Sequence, residues 1–295
     1  MILETARAAS ALKSRGTERR ETRYDSAGMS RAQMQQAHFR FYAELNDLLP
    51  LPRRGLRFTH AFEAVASLKD AIEAFGVPHT EVDLILANGE PAVFSHLLRD
   101  GDRISVYPVF RSLDLAPLTH LQPRSESEMR FVLDTHLGKL AAHLRMLGFD
   151  SLYGHDCRDE ELAQISAGEQ RTLLSRDRGL LKRSLVTRGY VVRAAEPREQ
   201  LVEVLRRFNL SGSVVPFRRC LDCNSLLQVV SKDLISHRLP PETRKHYNEF
   251  HICSGCNRLY WKGSHYQRMA SLIERMIESV KPGCPEGTRS LSTLT

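Results

Sequence analysis

The sequence predicts an α/β protein: a small doubly wound parallel sheet, preceded by an α+β domain and followed by a cysteine-rich module. Three observations carry that expectation. Residues 130–193 alternate short apolar runs with amphipathic stretches, the pattern of strand and helix in a parallel sheet. Residues 38–111 read as two strands, one helix and then further strands. Two CxxC pairs follow, Cys220 with Cys223 and Cys253 with Cys256.

Composition sets the bounds. A chain of 295 residues, 42% of them hydrophobic, has room for about two domains with real cores plus extensions. Lys and Arg total 42 against 35 for Asp and Glu, a formal charge of +7 that favours a polyanionic partner. No stretch reaches the roughly 18 apolar residues that a membrane span needs. Arginines interrupt residues 1–20, where a signal peptide would need an apolar core, so no membrane partner is expected. Paired CxxC motifs point to metal before disulfide in a reducing compartment, and the expected location is cytoplasmic. Cys157 and Cys284 stand outside the pairs.

Residues 1–37 are rich in Arg, Ser, Ala and Gln with no sustained apolar period, and are expected to form a mobile basic leader. From His38, Phe39, Phe41, Ala43 and Leu45 alternate with polar residues, a half-buried strand. A second strand follows over 56–60. Ser67 then caps a helix in which Leu68, Ile72 and Phe75 share a face, and Gly76 with Pro78 stops it. Strands at 82–86 and 104–109 bracket the Asn88-Gly89 hairpin signal. This is the element order of a β-grasp domain over residues 38–111. The region resembles ubiquitin-like sulfur carriers such as the small subunit of molybdopterin synthase, including the late stretch DGDRISVYPVF. Those carriers end in a free Gly-Gly tail, whereas this chain runs on through Phe110, Arg111 and Ser112. An interaction module for a protein partner is therefore expected, not a thiocarboxylate carrier.

Residues 112–128, with two prolines, read as a linker to the stretch MRFVLDTHLGKLAAHLRMLG at 129–148. Its first residues form a buried strand ending on Asp134. Leu137, Leu140, Ala141, Leu144 and Leu147 then recur at helical spacing, and Gly148 closes the helix. Further strands are expected at 149–153, 171–175 and 190–193. Helices are expected from Asp159, over 179–189 and from Pro197. The whole domain spans 129–211. In the common doubly wound order the first and third strands lie side by side where the winding reverses, which is where ligands bind. Asp134 and Asp177 end those two strands. Each also precedes a helix and could serve only as its N-cap.

Two carboxylates at such an edge suit Mg²⁺ or Mn²⁺, which prefer hard oxygen ligands. Asp159, at the head of the next helix, can reach the same edge. Arg145, Arg176, Arg178 and Lys182 are the cations expected to hold a phosphodiester backbone. The chain has neither a GxxxxGK[ST] loop nor a GxGxxG fingerprint, so nucleotide-fuelled and NAD-linked chemistry lose support.

The runs RFVLDTHLGKLAAHLRMLGFDSLY, DEELAQIS and RTLLSRDRGLLKR resemble the mut-seven C-terminal RNase family, a branch of the PIN-domain nucleases. With the cysteine module the resemblance covers about 129–270. The domain in front looks like the ubiquitin-like partner fused to this family in bacteria. The resemblance implies a PIN-like fold and acidic residues around one or two Mg²⁺ or Mn²⁺ ions. It also implies cleavage of single-stranded RNA. Asp134 and Asp177 match the first and late acidic positions, with Asp159 as the intermediate one and Glu160 or Asp156 as alternatives. After the fourth strand only Glu196 offers a fourth acid.

The cysteines fit a zinc ribbon within 212–280, with four thiolates around a structural Zn²⁺ and no open position for catalysis. His237, His246 and His251 lie near a set that is already complete. The run NRLYWKGSHYQRM interleaves aromatics with cations, so Trp261 and Lys262 are candidates to stack on and hold RNA; packing of the ribbon is the competing role for Trp261. An amphipathic helix at 271–279 precedes a tail at 281–295. The sequence reading is thus a cytoplasmic metal-dependent ribonuclease. A non-catalytic RNA- or ribosome-binding adaptor is the alternative.

Overall fold

A five-stranded mixed sheet, a four-stranded parallel sheet and a three-stranded antiparallel sheet, with eight α-helices among the described residues, make up the computed structural model, which describes residues 34–108, 121 and 129–280. The basic leader up to residue 33, most of the linker, the tail from 281 and Cys284 lie outside the described residues. No helix among the described residues is long and apolar enough to cross a membrane.

The first sheet has the order β2-β1-β5-β3-β4, built from β1 (Gln35–Phe41), β2 (Arg57–Phe62), β3 (Val82–Ala87), β4 (Glu90–Ala92) and β5 (Arg103–Pro108). Strand β1 starts inside the expected leader and stops earlier than its alternation suggests. Ala43 takes φ +46, which no strand accommodates, and a 3-10 turn over Ala43–Leu48 buries Leu45 and Leu48 instead. Helix α1 (Leu68–Ala74) begins as expected, with the Ser67 hydroxyl accepting the Asp70 N–H at 3.2 Å. It crosses a core in which Phe39, Phe58 and Phe75 meet edge-on or stacked, Phe39 and Phe75 at 5.0 Å between centroids. Asn88 and Gly89 take φ +55 and +97, as a two-residue hairpin between β3 and β4 requires. This is a β-grasp arrangement.

The parallel sheet has the order β7-β6-β8-β9, from β6 (Arg130–Leu133), β7 (Asp150–Tyr153), β8 (Thr172–Ser175) and β9 (Gly189–Val191). Alternation along β6 sends Phe131 and Leu133 to one face and Val132 to the other. The first face is covered by α2 (Gly138–Met146) and α5 (Pro197–Arg207), the second by α3 (Asp159–Gly168) and α4 (Arg178–Leu181). A 3-10 turn, Thr135–Leu137, separates β6 from α2. The helix expected over 179–189 ends at Leu181: the chain turns so that Val186 is buried and Gly189 can enter β9. There a side chain would meet Leu181 at 2.6 Å.

Strands β10 (Leu227–Val230), β11 (Phe250–Cys253) and β12 (Leu259–Trp261) form the third, antiparallel sheet. Short helices α6 (Lys232–Ile235) and α7 (Pro241–His246) fill the β10 to β11 connection over a small core of Ile235, Leu239 and Phe250. Helix α8 (Ser264–Val280) starts well before the expected 271 and returns to pack Ile273 and Met276 with α5.

The face of the parallel sheet bearing α3 and α4 is closed by the β-grasp domain. Phe75, Val77 and Val82 share one apolar cluster with Val132, Leu173, Leu181, Val186 and Val191. Polar contacts ring it. Glu81 is fully buried and accepts the Val191 N–H at 2.6 Å while its other oxygen lies 3.2 Å from Arg193. His79 meets the Val186 carbonyl at 2.8 Å. Burial pushes the Glu81 carboxyl up, against the pull of Arg193 and Arg207. From the linker, Leu121 packs on the same core and donates its N–H to Asp83 at 2.7 Å.

Candidate active edge and metal-binding ribbon

Asp134 and Asp177 stand at the carboxyl ends of β6 and β8, which pair directly in parallel. Asp134 is 4% exposed and its carboxylate is held from three directions. Oδ1 accepts the His136 N–H at 2.8 Å; Oδ2 accepts the Ser175 hydroxyl and the Arg176 N–H, the latter at 3.2 Å. The same Ser175 Oγ accepts the Asp177 N–H at 2.8 Å. Asp177 is exposed and caps α4, its Oδ1 taking the Gly179 N–H at 2.7 Å. Its Oδ2 has no protein donor among the described residues. One serine thus ties the two strand ends together, with one carboxylate buried and oriented and the other open to solvent. Sequence reading missed Ser175, although its place one residue past an apolar run at a switch point was a usable signal.

Asp159 does not join them. It opens α3, but Arg183 reaches that helix end from beyond α4, 4.0 Å from Asp159 and 2.7 Å from Glu160. Among the described residues, the only group of three or more His, Cys, Asp or Glu side chains whose ligand atoms converge is the four-cysteine set. The three expected aspartates do not converge in this structure: Asp134 and Asp177 share Ser175, while Asp159 lies 4.0 Å from Arg183.

Beside this edge a cleft of about 380 Å³ opens between the two domains, lined by Arg176, Arg178, Arg193 and, from the β-grasp side, Asp47 and Leu48. Of the cations expected to hold RNA, Arg176 is exposed here. Arg178 donates to the Leu48 carbonyl at 2.7 Å and Lys182 to the Glu73 carbonyl at 2.5 Å, so both fasten the β-grasp domain. Arg145 is corrected outright: it is 5% exposed, donating to the Ser151 carbonyl at 2.9 Å and to those of Leu221 and Asp222 at 3.1 and 2.7 Å. It holds the cysteine module to the sheet, out of reach of any bound strand.

In that module all four Sγ atoms lie within 4.8 Å of one another, with Cys220 and Cys256 at 3.6 Å and Cys223 and Cys253 at 3.2 Å. Four sulfurs roughly 2.3 Å from a central ion would have edges of this order, so the set fits a tetrahedral metal. Each CxxC is a tight knuckle followed by an asparagine in the left-handed region, Asn224 at φ +71 and Asn257 at +58. Backbone N–H groups aim at sulfur, those of Gly255 and Cys256 at Cys253 Sγ, both at 3.4 Å. His237, His246 and His251 stay outside the group. Asn224 then pairs with β7, accepting the Ser151 N–H at 3.0 Å and donating to Asp150 at 2.8 Å. Asp150 also meets Arg171 at 2.6 Å and Arg219 at 3.3 Å. Burial would raise its carboxyl, but Arg171, Asn224 and Arg219 together hold it below the ordinary value.

Trp261 packs against the ribbon's own core with Tyr247 and Leu259, and Lys262 is paired with Glu249 at 2.6 Å.

Fold and sites together define a two-domain α/β protein: a parallel sheet with acids at its carboxyl edge, a ribbon with a four-cysteine cluster able to hold a metal, and a β-grasp domain. Residues 129–273 match the family model described as the Mut7-C RNAse domain, and residues 34–114 match the Mut7-C ubiquitin model. The chain belongs to the Mut7-C family, with the RNAse domain behind its ubiquitin-like domain. No curated protein and no solved structure matches it.

Proposed function

We propose that this chain is a divalent-metal-dependent ribonuclease acting on single-stranded RNA in the cytoplasm, with Zn²⁺ as the structural metal of the cysteine ribbon. The observation that carries the reading is the Asp134, Ser175, Asp177 arrangement at the switch point of an RNAse-family domain. Mg²⁺ is commonly held by one or two protein carboxylates with water completing its shell, and Asp134 with Asp177 supplies that number. Such an ion, when bound, supplies an activated water and charge for the leaving oxygen. The residues do the rest. Ser175, Arg176 and His136 fix the Asp134 carboxylate in one orientation, and Asp177 offers an oxygen without a protein donor. Arg176 and Arg193 flank the cleft in which a phosphodiester would lie.

Cleavage of a labelled single-stranded RNA in Mn²⁺ or Mg²⁺, with Asp134→Asn and Asp177→Asn alongside, tests this. Loss of cutting in both variants, with zinc content unchanged, is expected; cutting that persists in them overturns the site. A second reading is a non-catalytic RNA- or ribosome-binding adaptor. It draws on the engagement of Asp159 and Glu160 by Arg183, which leaves two acids at the edge. It requires binding that survives Asp177→Asn and needs no Mg²⁺.

A further inference from the structure

Helix α5 follows β9 at the carboxyl edge of the sheet and begins at Pro197, shortly after Arg193, which lines the cleft. Helix α8 lies alongside it, and between them runs a groove of about 550 Å³. Arg198 from α5 and His265, Arg268 and Arg275 from α8 line it, together with Met269 and Leu272, and no carboxylate is among its lining residues. Met269 and Leu272 are half-buried against the core beneath, while Arg198, Arg268 and Arg275 are exposed. Among the described residues none of these three guanidinium groups has a hydrogen bond or ion pair, in contrast to Arg145, Arg178, Arg183 and Arg193.

Arg268 and Arg275 are two helical turns apart, which sets them roughly 10 Å apart along one face. Lys139 and Arg198 add positive potential next to His143, whose imidazole is held below its ordinary value by burial and, in part, by these two neighbours. Exposed cations without protein partners among the described residues raise the local positive potential and favour an anionic ligand.

We propose that this α5/α8 groove is the path by which the phosphodiester backbone of a single-stranded RNA enters or leaves the cleft, with Arg198, Arg268 and Arg275 as its phosphate contacts. The proposal rests on the reading that the chain acts on RNA. Closeness along the chain favours it: residues 194–197 link Arg193, which lines the cleft, to Arg198, which lines the groove. The contacts are to phosphate, so the groove holds RNA without selecting sequence.

The test is fluorescence anisotropy of a labelled oligouridylate with the full chain, in an Asp134→Asn background and without added divalent ion. The triple variant Arg198→Gln, Arg268→Gln, Arg275→Gln is expected to bind at least about tenfold more weakly at 50 mM salt. Its log-log salt dependence is expected to flatten by about 2, at roughly 0.7 per lost phosphate contact on a single strand. The Arg-to-Lys triple variant keeps the charge and is expected to retain most of that slope; zinc content and Tm of both variants confirm folding. Unchanged affinity and slope in the Gln triple variant overturn the groove, and so does loss of binding to phosphatidylserine vesicles with RNA binding intact. If the wild-type chain binds through the groove but never cuts, the groove stands and the nuclease reading falls. If the Gln triple variant binds and cuts as wild type does, the reverse holds.

Discussion

Glu81 and Arg193 meet at 3.2 Å across the boundary between the β-grasp domain and the parallel sheet, and Glu81 is fully buried there. A carboxylate so placed is tolerable only while its partners remain. Glu81→Ala leaves the Val191 N–H without its acceptor and Arg193 without its closest carboxylate. A loss of about 3 kcal/mol in urea denaturation is expected. A loss under about 1 kcal/mol would mean that the apolar cluster alone fastens the domains.

Ser175 links the two aspartates, so Ser175→Ala should act on both. The hydroxyl lost is the donor to Asp134 and the acceptor for the Asp177 N–H, at a cost of about 1–3 kcal/mol for the orphaned groups. Under the ribonuclease reading kcat is expected to fall by about tenfold or more, with KM for RNA little changed, because the arginines of the cleft are untouched. Steady-state kinetics at two salt concentrations would show which parameter moves.

Gly148 and Gly101 both have positive φ, +95 and +81, but differ in what a Cβ would meet. At Gly148 it would lie 2.1 Å from the Val215 carbonyl oxygen; at Gly101 nothing lies within 4 Å. Gly101→Ala is therefore expected to cost about 1–2 kcal/mol, the conformational term alone. Gly148→Ala adds a clash with backbone and should exceed that by about 2 kcal/mol or more. Thermal melts of the two variants compare them directly.

Asp150 gives the ribbon's docking a pH dependence. Its carboxyl is held below the ordinary value in the folded chain, so the stability it contributes is present above the unfolded pKa, near 4, and is lost as pH falls through the folded pKa. The stability gap between wild type and Asp150→Asn should thus be largest near neutrality and close below about pH 4. A gap that stays constant to lower pH would show that the carboxylate's charge is irrelevant to the contact. Glu81, raised by burial, runs the other way and partly masks the effect in wild type alone.

What could be read from the sequence was what is local. The Ser67 cap, the Asn88-Gly89 hairpin, the CxxC knuckles and the strand ends at Asp134 and Asp177 are set by residues close in the chain. The duties of Arg145, Arg178 and Lys182 were not legible, because each donates to backbone carbonyls of a distant segment, and a carbonyl leaves no mark on sequence. The same holds for Asp47, which reaches the cleft only because another domain is docked there. The neighbour of Asp159 was hidden for a related reason: spacing puts the aspartate at the head of α3, but the arginine 4.0 Å from it lies beyond α4.

The apolar cluster common to α1, β3, α3 and α4 has a consequence for how the chain is made. Synthesis delivers residues 35–108 before any strand of the parallel sheet exists. Val77 and Val82 then wait uncovered until β8 and β9 emerge, and that interval is when the nascent chain is most open to aggregation or to a chaperone. A chain severed between the domains would leave the same surfaces bare permanently. The ubiquitin-like domain is thus half of a hydrophobic interior whose other half is translated later.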